Sequence, residues 1–125
     1  MKRLLAAVLL LTACAKPETP APAQGPAAPA VAGNAANGQV LITRYGCTVC
    51  HVVPGIERGG VLGPSLVGLA ARPTLGEGTV QNTPRNVVQY IINPSTLNPQ
   101  TSMPAVGIDE PSARDIAAYL LNSGQ

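Results

Sequence analysis

Cys47, Cys50 and His51 put two thiols and the chain's only imidazole within five residues, in the stretch RYGCTVCHVVPG from Arg44 to Gly55. Three chemistries use such groups at such spacing. A Cys-x-x-Cys pair at a helix N-terminus can exchange disulfides. Two thiolates and an imidazole can supply three of the four ligands of a structural zinc. Cys-x-x-Cys-His can also attach a c-type haem. If the segment is helical, Cys47 and Cys50 stand at i, i+3 and Cys47 and His51 at i, i+4, so one face presents all three groups. Two thiols then meet two vinyl groups, and the imidazole meets the iron.

The rest of the chain discriminates among these. Disulfide exchange wants a strand–helix scaffold, and no alternating strand pattern is visible. A structural disulfide across so short a loop gains little from chain entropy. Zinc would need a carboxylate as fourth ligand, because Cys14, the third cysteine, lies in an N-terminal segment with another use. Haem needs a second axial ligand, and these come from His, Met, Cys or Tyr. Of the chain's two methionines one is Met1. The other, Met103, sits beside Pro104 in a pattern-free stretch, which suits a ligand better than a core gap-filler.

The elements that must position these residues are short, because 13 prolines and 13 glycines punctuate the chain. NGQVLITRYG, residues 37–46, reads as a helix leading into the cysteines, weakened by Val40, Ile42 and Thr43. Residues 52–62 read as a glycine-rich loop, and PSLVGLAA, residues 64–71, as one or two helical turns. Thr83-Pro84 is an N-cap with proline at the first helical position. The helix it opens carries Val87, Tyr90 and Ile91 on one face and stops at Asn93-Pro94. Residues 93–108 form a long loop of the kind that is functional or braced. A last helix begins near Asp109-Glu110-Pro111 and has a stripe of Ala113, Ile116, Ala117 and Leu120. The expected fold class is all-α, with short helices and long loops.

Upstream of this domain, MKRLLAAVLLLTAC has the basic start and short apolar run of an export signal, too short to span a bilayer permanently. Leu11-Thr12-Ala13-Cys14 resembles the bacterial lipoprotein processing box, which implies that Cys14 becomes the lipidated first residue. The expected organisation is a signal peptide over 1–13, a lipidated cysteine and Pro/Ala-rich tether over 14–35, and one domain over 36–125. The tether cannot bury enough apolar surface to order itself and reaches about 65 Å if extended. The domain contains no Phe or Trp and only Tyr45, Tyr90 and Tyr119 as aromatics. A core so thin calls for a staple, and a large apolar cofactor would supply the missing volume. From residue 36 on, five arginines face five acids and no lysine occurs, so no basic stripe exists for nucleic acid.

Taken in order, these features resemble a monohaem class I c-type cytochrome over residues 36–125. Gly38 and Ile42 match the family's first helix, and Cys47-Thr48-Val49-Cys50-His51 its attachment motif. Gly63-Pro64-Ser65-Leu66-Val67-Gly68 is similar to its G-P-x-L-x-G, Met103-Pro104 to its sixth-ligand loop, and Asp115 to Leu120 to its last helix. The stretch from Arg72 to Pro104 is similar to the cytochrome c domain fused to subunit II of some bacterial haem–copper oxidases. The resemblance implies one covalent haem c on Cys47 and Cys50, with iron held by His51 and Met103. It further implies that the Pro64 carbonyl accepts the other ring N–H of His51. Arg72, just beyond that segment, is the expected partner of a haem propionate. Two departures stand out: Ile42 replaces the family's first-helix aromatic, and the lysines that often ring the haem edge are absent.

With both axial positions filled, the expected function is one-electron transfer rather than catalysis. It would take place on the periplasmic side of a bacterial membrane, lipid-anchored, with redox proteins such as a terminal oxidase or a quinol-oxidising complex as partners. The competing expectation is a haem enzyme or gas-binding sensor in which Met103 is labile. A haem-free lipoprotein interaction module is a third.

Overall fold

The fold is that of a computed structural model, which describes residues 31–123. The expected export signal, Cys14 and the expected tether up to residue 30 lie outside the described residues. Four helices carry the domain: α1 (Ala35–Arg44), α2 (Pro84–Ile92), α3 (Pro94–Leu97) and α4 (Glu110–Asn122). A small antiparallel hairpin pairs β1 (Thr74–Leu75) with β2 (Val80–Gln81), with Thr74 opposite Gln81 and Leu75 opposite Val80. Among the described residues no helix is long and apolar enough to cross a membrane.

The crossing of α1 over α4 is the centre of the packing. Asn34 opens α1 by accepting the Asn37 N–H on its side-chain oxygen at 3.1 Å. One turn on, Gly38 meets α4 so closely that a Cβ there would overlap the Asp115 carbonyl oxygen. The backbones therefore touch, and Ile42 and Ile116 are sealed beneath them. That packing overrides the weak helix preference of Val40, Ile42 and Thr43. Asp115 ties the same corner from outside, accepting the Asn34 N–H at 2.6 Å and the Asn37 side-chain amide at 2.7 Å. Those two bonds, the Asn37 one foremost, hold its carboxyl below the ordinary value of 3.8.

α2 starts where the Thr83-Pro84 cap places it, with Thr83 Oγ1 accepting the Asn86 N–H at 3.2 Å. It buries Val87, Val88 and Ile91 against α4, while Tyr90 stays half-buried. α4 buries Ala113, Ile116, Ala117 and Leu120, the stripe its sequence spacing predicts.

Four local expectations need correction. Helix α1 spans Ala35–Arg44, two residues ahead of the expected 37–46, and Val31 packs on the core. PSLVGLAA is helical only over Leu69–Ala71, as a 3-10 turn. The carbonyls of Pro64, Ser65 and Val67, which a helix would use, are instead taken by His51 and Arg72 side chains. Asn93-Pro94 ends α2 but also begins α3, because proline suits the first position of a new helical turn. The hairpin escapes the alternation test because its strands are two residues long; its turn runs through Gly76, Glu77 and Gly78, all at positive φ.

Candidate functional site

α1 ends at Arg44, capped by Tyr45, and Gly46, at φ 73°, redirects the chain into a 3-10 turn over Cys47–Val49. The Cys47 carbonyl accepts both the Cys50 N–H at 3.3 Å and the His51 N–H at 3.0 Å. One turn of helix therefore carries Cys47, Cys50 and His51. Both cysteines are free, so no disulfide closes the pair. Burial pushes the Cys47 thiol up, more than its backbone hydrogen bond lowers it, and neighbouring Cys50 adds to the rise. A thiol that keeps its proton is a poor exchange nucleophile.

The following loop folds back onto this turn. Gly60 N–H donates to the Thr48 carbonyl and Gly63 N–H to the Cys50 carbonyl, each at 2.8 Å, and Leu66 N–H reaches the Val52 carbonyl at the same distance. Gly63 lies flush against the imidazole, where a Cβ would come within 2.5 Å of His51 Cε1. Into that close fit the Pro64 carbonyl is delivered 2.7 Å from His51 Nδ1. A carbonyl can only accept, so Nδ1 carries the proton and Nε2 keeps its lone pair for a metal. Among the described residues His51 is the one buried polar side chain, 9% exposed.

Met103 lies in the element-free stretch between α3 and α4 and is half-buried. Its N–H donates to Thr101 Oγ1 at 3.2 Å, and the same hydroxyl receives the Tyr90 hydroxyl at 3.3 Å. α2 thus braces the methionine loop through Tyr90 and Thr101, a pair that sequence reasoning does not single out. A hydroxyl two residues before the candidate ligand is the signal that points to it. Among the described residues no hydrogen bond joins the Met103 loop to the Cys47–His51 turn. Arg72 directs Nη2 at the carbonyls of Ser65 (2.6 Å) and Val67 (2.8 Å), where it braces the loop beyond Pro64. Asn82, also unmarked in the sequence, closes the turn below by donating to the Leu69 and Arg72 carbonyls; its buried Oδ1 has no partner.

Among the described residues no group of three or more His, Cys, Asp or Glu side chains is placed to hold a metal ion. The sole ion pair found there is Arg114–Glu110, on α4. The sequence profile of the family described as Cytochrome c matches residues 35–124. The chain belongs to the cytochrome c family. Solved cytochromes share its fold. The cytochrome c2 of Paracoccus denitrificans is 22% identical, with 70% of this chain and 93% of that one covered and a TM-score of 0.56. For the cytochrome c2 of Rhodobacter capsulatus the values are 20%, 72%, 97% and 0.57. The ferric cytochrome c-550 of Paracoccus versutus gives 20%, 74%, 99% and 0.59. Among curated proteins none matches this cytochrome significantly.

Membership makes the cofactor one covalent haem c with its iron, and the function electron transfer with redox proteins. The residues present fit that group. Two free thiols and an imidazole whose Nδ1 faces the Pro64 carbonyl share one turn, and Gly63 leaves the ring its space.

Proposed function

We propose that this cytochrome is a one-electron carrier, not an enzyme, with His51 and Met103 as axial ligands. It would be held by lipid on Cys14 to the periplasmic side of a bacterial membrane, where it serves a respiratory chain. A terminal oxidase or a quinol-oxidising complex would be its partner. When bound, haem supplies reversible Fe(III)/Fe(II) exchange of one electron. The observation that carries the reading is the 2.7 Å contact of His51 Nδ1 with the Pro64 carbonyl, which leaves Nε2 as the coordinating atom.

The residues divide the work. Cys47 and Cys50 form the thioethers. Pro64 fixes the tautomer of His51 and raises its basicity as a ligand. Met103 offers a soft thioether, which favours the ferrous state and raises the potential. Thr101 and Tyr90 support its loop. A propionate role for Arg72 would use guanidinium nitrogens other than the Nη2 that serves Ser65 and Val67. Apolar surroundings add to the rise in potential, since burial disfavours the extra charge of ferric haem.

The test is the ferric protein's far-red Met-to-haem absorption band, read together with carbon monoxide binding by the ferrous form. The carrier reading expects the band and no ready binding. A missing band with avid carbon monoxide uptake would make the protein a gas-binding or catalytic haem protein instead. Labelling of the exported protein with radioactive palmitate, lost in Cys14→Ala, tests the anchor.

A further inference from the structure

Val49, Val61 and Leu62 are 69%, 89% and 84% exposed. Single exposed aliphatics are ordinary on any surface, but these three are brought together by the backbone. The bonds from Gly60 to Thr48 and from Gly63 to Cys50 dock residues 60–63 against the turn that bears both cysteines. A Cβ at Gly60 would overlap the Val49 carbonyl, and one at Gly63 would press on the His51 ring. The glycines therefore face inward, and the two residues between them project outward, next to Val49. The resulting aliphatic patch borders Cys50, so any group bonded to that sulfur lies beside it. Residues 45–56 and 59–71, the two segments that form the patch, contain no Asp, Glu, Lys or Arg, and the exposed Glu57 and Arg58 between them carry opposite charges.

We infer that this patch is the face through which the cytochrome exchanges electrons, and that its partner is a redox protein with an equally uncharged, apolar surface over its own cofactor. The inference rests on the carrier reading above. A charged partner surface would lose its hydration against Val61 and Leu62 with no net charge of the patch to meet it. An apolar one gains by burying all three side chains. Association is then driven by apolar burial and not by electrostatic steering, so its rate is insensitive to salt.

A second copy of the protein is itself such a partner, which makes electron self-exchange the test. The probe is the haem-loaded full chain, ferrous and ferric forms mixed, with the rate read from NMR line broadening. The wild-type rate should vary by less than about threefold between ~0.01 M and ~1 M salt, over which the screening length falls from ~30 Å to ~3 Å. Leu62→Lys and, separately, Val61→Lys should slow exchange about tenfold or more at low salt, with partial recovery at high salt. Asn122→Lys, exposed on α4, should exchange at the wild-type rate. Both patch positions are so exposed that the spectrum and potential of each variant should match wild type. Wild-type exchange rates in both patch variants would overturn the inference while leaving the carrier reading intact. The same result accompanied by lost binding to phosphatidylcholine vesicles when either substitution is made in the Cys14→Ala chain, which has no lipid to hold it, would assign the patch to a lipid surface, and overturns it too. A wild-type protein with no reversible one-electron cycle would overturn the carrier reading itself.

Discussion

Where α1 crosses α4, backbone meets backbone: Gly38 lies against the Asp115 carbonyl, Ile42 and Ile116 are sealed, and the Asp115 side chain bonds back to Asn34 and Asn37. On the side that carries the chemistry, residues 46–72 and 98–109 are mostly loop, fixed one hydrogen bond at a time. His51 reaches Pro64, Gly60 reaches Thr48, Met103 reaches Thr101, and Tyr119 reaches across from α4 to Pro54. The helical side gets its order from close packing, which is dense and intolerant of added volume. The loop side is held instead by single hydrogen bonds between segments distant in sequence. In a domain this small, with no Phe or Trp, a bound haem would add apolar bulk to the side-chain core.

The largest expected effect breaks the helical side. Gly38→Val puts two methyl groups into the Asp115 backbone, at a cost of about 3 kcal/mol or more. Against a total stability of about 5–15 kcal/mol, little folded holoprotein should accumulate, as read by haem-stained yield and guanidinium unfolding. Normal yield and midpoint would show that α1 and α4 do not touch there.

Met103→Ala should do the reverse, sparing the helices and changing the site. The far-red band should vanish and ferrous protein should bind carbon monoxide. The potential should fall by on the order of 0.2 V, within the ~0.8 V that axial ligation spans. Unfolding by guanidinium should respond far less than in Gly38→Val. An unchanged band and potential would remove Met103 from the iron.

The contrast between the two sides also sets how much could be read from sequence. α2 and α4 are legible because Thr83-Pro84 and Asp109-Glu110-Pro111 mark their starts and their apolar spacing follows one face. α1 is less legible, because Gly38 and Ile42 are explained by α4, not by their neighbours in sequence. At the site, Cys47, Cys50 and His51 stand out by spacing, Met103 as the one methionine besides Met1, and Pro64 by resemblance to a family motif. Tyr90, Thr101 and Asn82 do not, since their roles depend on contacts between distant segments. The stretch from Pro64 to Ala71 misleads for a similar reason: its carbonyls serve His51 and Arg72, and nothing in PSLVGLAA shows that demand.

A smaller change probes the bridge between the two sides. Tyr119→Phe removes the 2.6 Å bond from its hydroxyl to the Pro54 carbonyl and should cost about 1 kcal/mol, read as a lower guanidinium midpoint. The spectrum and potential should stay unchanged; a shifted potential would mean that this contact tunes the haem and does more than join loop to helix.

Smallest is the pH dependence of the α1–α4 corner. Because bonding lowers the folded-state value of Asp115, its contribution is complete above the ordinary 3.8 and is lost as pH falls through the lowered value. Asp115→Asn should therefore lower the melting temperature slightly at neutral pH, and the difference from wild type should close in acid. A difference that persists well below pH 3.8 would show that packing, not charge, is what the substitution disturbs.

The most direct measurement is a redox titration of the purified wild-type protein followed in the visible spectrum, after acid–acetone extraction has shown whether the haem stays with the chain. The account predicts a covalently retained haem, one reversible step with one electron, and a positive potential set by His51 and Met103. A chain that releases its haem to the solvent, or one that cannot be cycled, would contradict it.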